Sequence, residues 1–314
     1  MTMLKKWTVL LGAAFLGLAA LAAGRADEPA KKDGEPLVVV DNGGKEHKLK
    51  TWKFTQGTRR LGWLVPAEKE ADPKDKPDPK AKAPAGPEAL EFREEKSTNR
   101  VQGILTLVPL ERLRALEYDN MKETVQLTAA TGPKAEDTTT LAGLTSFQGI
   151  NKLVIEAEVD KGDLGVAEVK FLGGVPKGVT ALKFPPAKVE ALPEGRPATV
   201  TTKPDSKGKT THKVGDLQPL YRVGGGETLS PFVFFKKTLK IDVAKISKIS
   251  VSDAGNDSAW ALTLKDGGEE SLTLLTTAML DGKPAALEGF VGRVPAGYKL
   301  FPVAVIEEVV FDEK

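Results

Sequence analysis

The sequence predicts an all-β protein. Two related small modules, barrel-like or sandwich-like, carry short 3₁₀ turns and follow an N-terminal signal helix, with flexible linkers between. Three observations predict this. Short runs alternate apolar and polar residues between turn signals, as in "AWALTLKDGGEESLTLL" at 259–275. The 314 residues include 31 Gly and 21 Pro, which suit turns better than long helices. One apolar pattern also recurs three times, at 107–118, 240–251 and 301–311.

From the N-terminus, Lys5 and Lys6 precede an uncharged apolar run of 17 residues, Trp7 to Ala23. Gly24-Arg25-Ala26 then offers small residues for a signal peptidase cut after Ala26. The run is at the short edge for spanning a bilayer, so residues 1–26 read as a cleaved signal peptide and the destination as secreted or periplasmic. Contact with membrane is expected only through this segment if it stays uncleaved. Removing Lys5, Lys6 and Arg25 takes 45 basic residues to 42 against 43 acidic ones, a net charge of −1. Net charge therefore gives no reason to expect nucleic acid as a partner. The chain has no Cys, which excludes disulfides, thiol catalysis and Cys-ligated zinc.

Module 1 is expected over 35–185. "LVVVD" (37–41) runs into Asn42-Gly43-Gly44, a hairpin signal. "TWKFTQGTRRLGWL" (51–64) gathers Trp52, Phe54, Arg59, Arg60 and Trp63. Trp52 and Phe54 share one strand face, and Trp63 falls on the return strand. Arg59 and Arg60 are expected at the turn, in solvent. Residues 66–88 carry Pro, Lys, Asp and Ala with almost nothing to bury, so they read as a disordered insertion. "KLVIEAEVD" (152–160) sets Leu153, Ile155, Ala157 and Val159 on one face, and Lys152, Glu156, Glu158 and Asp160 on the other. A flexible linker is expected over 186–213, because 201–213 has no aliphatic or aromatic residue. Module 2 follows over 214–314, with a hairpin turn at Asp266-Gly267.

The recurring pattern places apolar residues at Leu110, Leu113, Leu116 and Tyr118. Its second copy has Val243, Ile246, Ile249 and Val251; its third has Val303, Ile306, Val309 and Phe311. Each copy steps by three, three and two. A helix continues in threes and fours, and a plain strand steps only in twos. One 3₁₀ turn entering a strand fits both parts, and the Val- and Ile-rich third copy favours strand over helix. Val166, Val169 and Phe171 form a weaker fourth copy. "GGKEHKLKTWKF" (43–54) and "GGGETLSPFVFF" (224–235) also correspond. These matches are what make the two modules related.

"LTLKDGGEESLTLL" (262–275) followed by "FPVAVIEEVVF" resembles exported bacterial proteins with repeated small β modules. In those, an Asp-Gly hairpin precedes a strand with an Ile-x-x-Ile-x-Phe-like motif. The resemblance implies a β fold and implies no activity, substrate or catalytic residue.

The chemistry-bearing residues are few. His212 is expected exposed in the linker, and His47 follows a hairpin turn. Two His and no Cys give no zinc set, and no Gly-x-Ser-x-Gly elbow accompanies them. Glu156 and Glu158 stand about 7 Å apart by strand rise, on what reads as a solvated face. "VGGGETL" (223–229) lacks the Lys-Ser/Thr of a P-loop and reads as a turn, as does "GGVPKG" (173–178). "SDAGNDS" (252–258) lacks EF-hand spacing. No catalytic residue, metal or cofactor is expected.

The leading expectation is an exported, non-enzymatic protein with a binding or structural role in the cell envelope or outside the cell. Its partners would be an envelope protein or a polysaccharide. Carbohydrate binding through Trp52, Phe54, Arg59, Arg60 and Trp63 is the runner-up, with a core role as the competing reading of those aromatics. A carboxylate-dependent hydrolase is third.

Overall fold

The alternating apolar and polar runs on either side of Asp266-Gly267 form strands, at Ala259–Leu264 and Glu269–Thr273. The computed structural model describes residues 36–312 except 57, 65–85, 95–102, 120–123, 145–153, 161–165, 173–177, 205–207, 225, 236–238 and 253–258. The signal segment 1–26 and residues 66–85 of the Pro/Lys insertion lie outside the described residues. Among the described residues, no helix is long and apolar enough to cross a membrane.

The strands begin with β1 (Leu37–Asp41), β2 (Glu46–Leu49), β3 (Thr51–Gln56), β4 (Thr58–Arg60), β5 (Glu88–Arg93) and β6 (Leu105–Pro109). Next come β7 (Leu113–Asp119), β8 (Thr124–Ala130), β9 (Thr138–Leu144), β10 (Val154–Asp160), β11 (Val166–Leu172) and β12 (Val179–Lys183). The chain continues through β13 (Pro197–Thr202), β14 (Thr211–Val223), β15 (Gly226–Leu229), β16 (Phe232–Phe235), β17 (Leu239–Asp242) and β18 (Ile246–Ser252). The last six are β19 (Ala259–Leu264), β20 (Glu269–Thr273), β21 (Thr277–Leu280), β22 (Lys283–Val294), β23 (Gly297–Pro302) and β24 (Ile306–Phe311).

A six-stranded sheet runs β2-β1-β12-β7-β8-β9, and a three-stranded one runs β11-β10-β3. The largest sheet runs β20-β19-β18-β24-β13-β14-β22-β23-β6-β5-β4, with β15 beside β14 and β21 beside β22. Strands β16 and β17 pair with each other. Pairing is antiparallel throughout. The protein is all-β, but none of its sheets closes into a barrel, so the barrel form of the expectation is corrected. The physical reason lies at β4. This three-residue strand ends the largest sheet, and it reaches β15 and β22 through side chains rather than a backbone ladder.

Each of the three recurring stretches folds in the same local way. A 3₁₀ turn at Leu110–Arg112, Val243–Lys245 or Val303–Val305 leads into β7, β18 or β24. The backbone N–H of Leu113, Ile246 and Ile306 donates to the carbonyl three residues back, which closes the turn. Pro109 and Pro302 enter two turns, and Asp242 enters the third by accepting from the Ala244 N–H at 2.8 Å. The turn accounts for the first step of three. The second has a different cause. Register shifts at Leu113/Ala115, at Ile246/Lys248 and, opposite Thr201/Thr202, between Ile306 and Glu308 mark a β-bulge in each strand. The extra residue restores the next side chain to the core side. Leu113, Ile246 and Ile306 are fully buried, and Leu116, Ile249 and Val309 nearly or wholly so. The proposed fourth copy lacks this device: β11 pairs with β10 without a shift, and Val166 is 65% exposed. Val166 stands an odd number of residues from Val169 on an unbulged strand, so it takes the opposite face.

The apolar side chains gather in three clusters. One draws on β1, β2, β3, β7, β8, β10 and β12, with Trp52, Val169 and Phe171 packed against it. A second draws on β13, β14, β16, β18, β19, β22, β23 and β24, with a fully buried Trp260 stacked on Phe290. A smaller third cluster joins Leu61, Ala89 and Leu107 to Leu220, Val291, Tyr298 and Leu300.

Part of the expected linker over 186–213 is strand, at 197–202 and 211–213, and part of the rest is anchored. Arg112 donates to the Glu190 carbonyl at 2.6 Å and Arg114 to the Ala187 carbonyl at 2.5 Å, while Val189 is buried. Residues 197–202 are β13, an interior strand between β14 and β24 with Ala198 and Val200 buried. An interior antiparallel strand needs an apolar residue only at every second position, and the intervening threonines are strand formers.

Candidate functional site

A cluster of partly buried charge surrounds Arg59 on β4. Its Nη1 donates to Glu91 Oε2 at 3.1 Å. Its Nη2 donates to Glu227 Oε1 at 2.6 Å and to Glu288 Oε2 at 2.8 Å. These carboxylates come from β5, β15 and β22. Arg222 on β14 adds a second guanidinium on Glu288. Arg59 lies over the Trp63 ring, 5.8 Å from its centroid. The side chains of Arg59, Glu227 and Glu288 are 18%, 16% and 15% exposed, so water screens these bonds weakly. Burial pushes the Glu227 carboxyl above the ordinary range, and Arg59 only partly opposes it. The expectation of a solvated Arg59 is thus corrected: the curl of the sheet brings three glutamates to it. Arg60 points outward and exposed, with its Nε 3.5 Å from Glu88.

A second polar cluster joins β14, β23 and the end of β5. Lys299 Nζ lies 2.8 and 3.0 Å from the two carboxylate oxygens of Glu94. Thr106 donates to the same carboxylate. His212 Nδ1 lies 3.2 Å from Lys299 Nζ and accepts from it, which leaves the ring proton on Nε2. That Nε2 is buried without a hydrogen-bond partner among the described residues, and the ring packs against Phe301 at 5.5 Å. Burial first, then the Lys299 charge, holds His212 below the ordinary imidazole range, against an opposing pull from Glu94. His212 is therefore not the exposed linker residue expected. It is a strand residue paired across from Val200, with a side chain 14% exposed.

The remaining candidates lie elsewhere. Trp52 and Phe54 sit on β3, edge to face at 5.4 Å, with Phe184 completing an aromatic group on the first core cluster. Trp63 is not on a return strand as expected but in a 3₁₀ turn at Gly62–Leu64, and it packs on the third cluster, so the five residues do not form one surface. His47 meets Asp41 Oδ2 at 2.9 Å beside Phe171. Glu156 is flanked by Lys53 and Lys170 on the outer face of β10, as a solvated strand face requires. Among the described residues, no group of His, Asp and Glu is arranged to hold a metal ion.

No family model, curated protein or solved structure matches the chain. Glu91, Glu227, Glu288, Arg222, Glu94, Thr106 and Lys299 were missed in the sequence. A usable signal existed for two of them. "EALEFR" and "AALEGF" each set one glutamate, Glu91 and Glu288, inside an apolar run. A carboxylate flanked that way is either exposed on an outer face or held by a buried cation.

Proposed function

We propose that this chain is an exported, non-catalytic protein of two related β modules, with a binding or structural role at the cell envelope. The observation that carries the reading is the Arg59 cluster. A carboxylate-dependent hydrolase needs one carboxyl group free to give a proton and another free to attack or to activate water. Here Glu91, Glu227 and Glu288 each meet the Arg59 guanidinium within 3.1 Å. They serve as cross-links between strands. Arg112, Arg114 and Arg196 act alike on backbone carbonyls; Arg196 donates to Val243 O at 2.9 Å and Ile246 O at 2.7 Å.

Duplication is supported by the turn-and-bulge device of β7, β18 and β24, and by the matching strand orders β2-β1-β12-β7-β8-β9 and β14-β13-β24-β18-β19-β20. Packing of Trp52 and Phe54 against Phe184 supports a core role for those aromatics over sugar stacking.

The test is fractionation of bacteria expressing the full-length tagged chain, with mass spectrometry of its N-terminus. A processed chain that starts at Asp27, lies outside the cytoplasm and cosediments with isolated envelopes is the expected result. An unprocessed cytoplasmic chain would overturn export, and a processed chain that ignores envelopes would overturn the envelope role.

A further inference from the structure

We infer that the outer edge of β9 is a pairing surface for the same strand of a second copy of this chain. Sheet edges are hazards, because their unpaired N–H and C=O groups template further strands. Proteins blunt them with charge, bulges or very short strands, and the other edges here follow that rule; the uncharged β16 and β21 are only four residues each. Strand β20 carries Glu269 and Glu270, and β4 carries Arg59 and Arg60. Strand β2 carries Glu46 and Lys48, β3 carries Lys53, and β11 carries Glu168 and Lys170.

Strand β9 breaks the rule. It is seven residues of Thr, Leu, Ala and Gly with no charge, at the end of the six-stranded sheet. Among the described residues it pairs only with β8, and its one bulge, at Ala142-Gly143, leaves Thr138 to Leu141 in regular register. Thr138, Thr140 and Ala142 are exposed, and Thr139 and Leu141 are partly so. Leu141 packs on the first core cluster while keeping part of its surface in water.

The occupant follows from charge and symmetry. Two β9 strands run antiparallel about a two-fold axis at Thr140 set Thr140 against Thr140, and Leu141 of each copy against Thr139 of the other. No like charges meet. The same operation at β4 sets arginines together, and at β20 glutamates together, which costs free energy. Thr140 already stands 3.4 Å from Thr128 across β8, so a hydroxyl ladder would extend over the joint. Each six-stranded sheet would continue into its partner. The contact is one strand wide, so the dimer is concentration-dependent rather than obligate.

This deepens the binding reading above and does not depend on export. The test is sedimentation velocity of the protein purified from the compartment where it accumulates, up to its solubility limit. The expected mass rises from one chain to two with concentration. Thr140→Lys should abolish the rise without moving the melting transition, and Ser271→Lys on β20 should not affect it. Thr138→Lys probes the same edge should Thr140→Lys fold poorly. A single-chain mass throughout overturns the inference, as does a dimer that survives both β9 variants. A chain that is exported and envelope-bound yet monomeric refutes only the self-pairing.

Discussion

Replacing Arg59 with Leu tests whether the charge cluster holds the largest sheet together. The wild-type guanidinium makes three hydrogen bonds, at 3.1, 2.6 and 2.8 Å. Leucine keeps much of the stem's packing on Trp63 and removes all three. Glu288, 15% exposed, then keeps its pair with Arg222, while Glu227, 16% exposed, feels Arg222 only as a nearby charge. Removing one side of a fully buried pair costs about 3–5 kcal/mol, and partial exposure here lowers that to roughly 2–4 kcal/mol. For a chain of this size that is on the order of 5–15 °C in Tm. Glu227→Gln is the control. The carboxyl sits above its ordinary range, so the folded state holds its proton more tightly than the unfolded state does. Its contribution is therefore favourable at low pH and lost as pH rises through the folded value. Neutralising it should cost less than about 1 kcal/mol. In Arg59→Leu, lowering the pH from about 7 to 5 should recover part of the loss relative to wild type, as the orphaned glutamates take up protons. Thermal unfolding followed by circular dichroism at both pH values reads all of this. An unshifted Arg59→Leu transition would refute the cross-link, and a Glu227→Gln loss as large as that of Arg59→Leu would refute the account of burial.

Three further outcomes are expected. His212 is held below the ordinary value of 6.5, so the unfolded chain takes its proton first and stability falls as pH drops through that value toward the lower folded one; His212→Gln should remove this component from a pH series of denaturant midpoints. Ile246 is fully buried beside the bulge of β18, and Ile246→Asp should cost several kcal/mol, about 3 or more, seen as loss of the cooperative melting transition. Gly267 has φ +86 in the β19–β20 hairpin, so Gly267→Val should cost about 1–2 kcal/mol by urea titration, whereas the same change at a negative-φ surface position should cost little.

Local chemistry was legible and long-range chemistry was not. The hairpins at Asn42-Gly43-Gly44 and Asp266-Gly267 are where the sequence places them, because a turn depends on a few adjacent residues. The 3₁₀ turns were readable from the three-residue steps. The bulges at Arg114, Ser247 and Glu307 were not, because an inserted residue in a strand also produces a step of three. Thr211–Lys213 read as linker since nothing there is apolar, yet these residues pair with β13. Arg59 read as solvated because its partners lie 32, 168 and 229 residues away. No pattern within a window of a dozen residues records such a pairing.

That last separation also has a consequence in time. Strands β4, β5 and β6 emerge early, but β6 finds its other neighbour only when β23 arrives, and Arg59 finds Glu288 only with β22. Until β15 brings Glu227, the first third of the chain carries an open ladder and a cation with one of its three carboxylates, Glu91. Synthesis and folding cannot run in step for this molecule. Completion of the largest sheet belongs to the last strands made, and loop closure across such distances is slow. A chain that reaches its compartment unfolded would avoid waiting half-built, and one truncated before β22 should aggregate rather than fold in part.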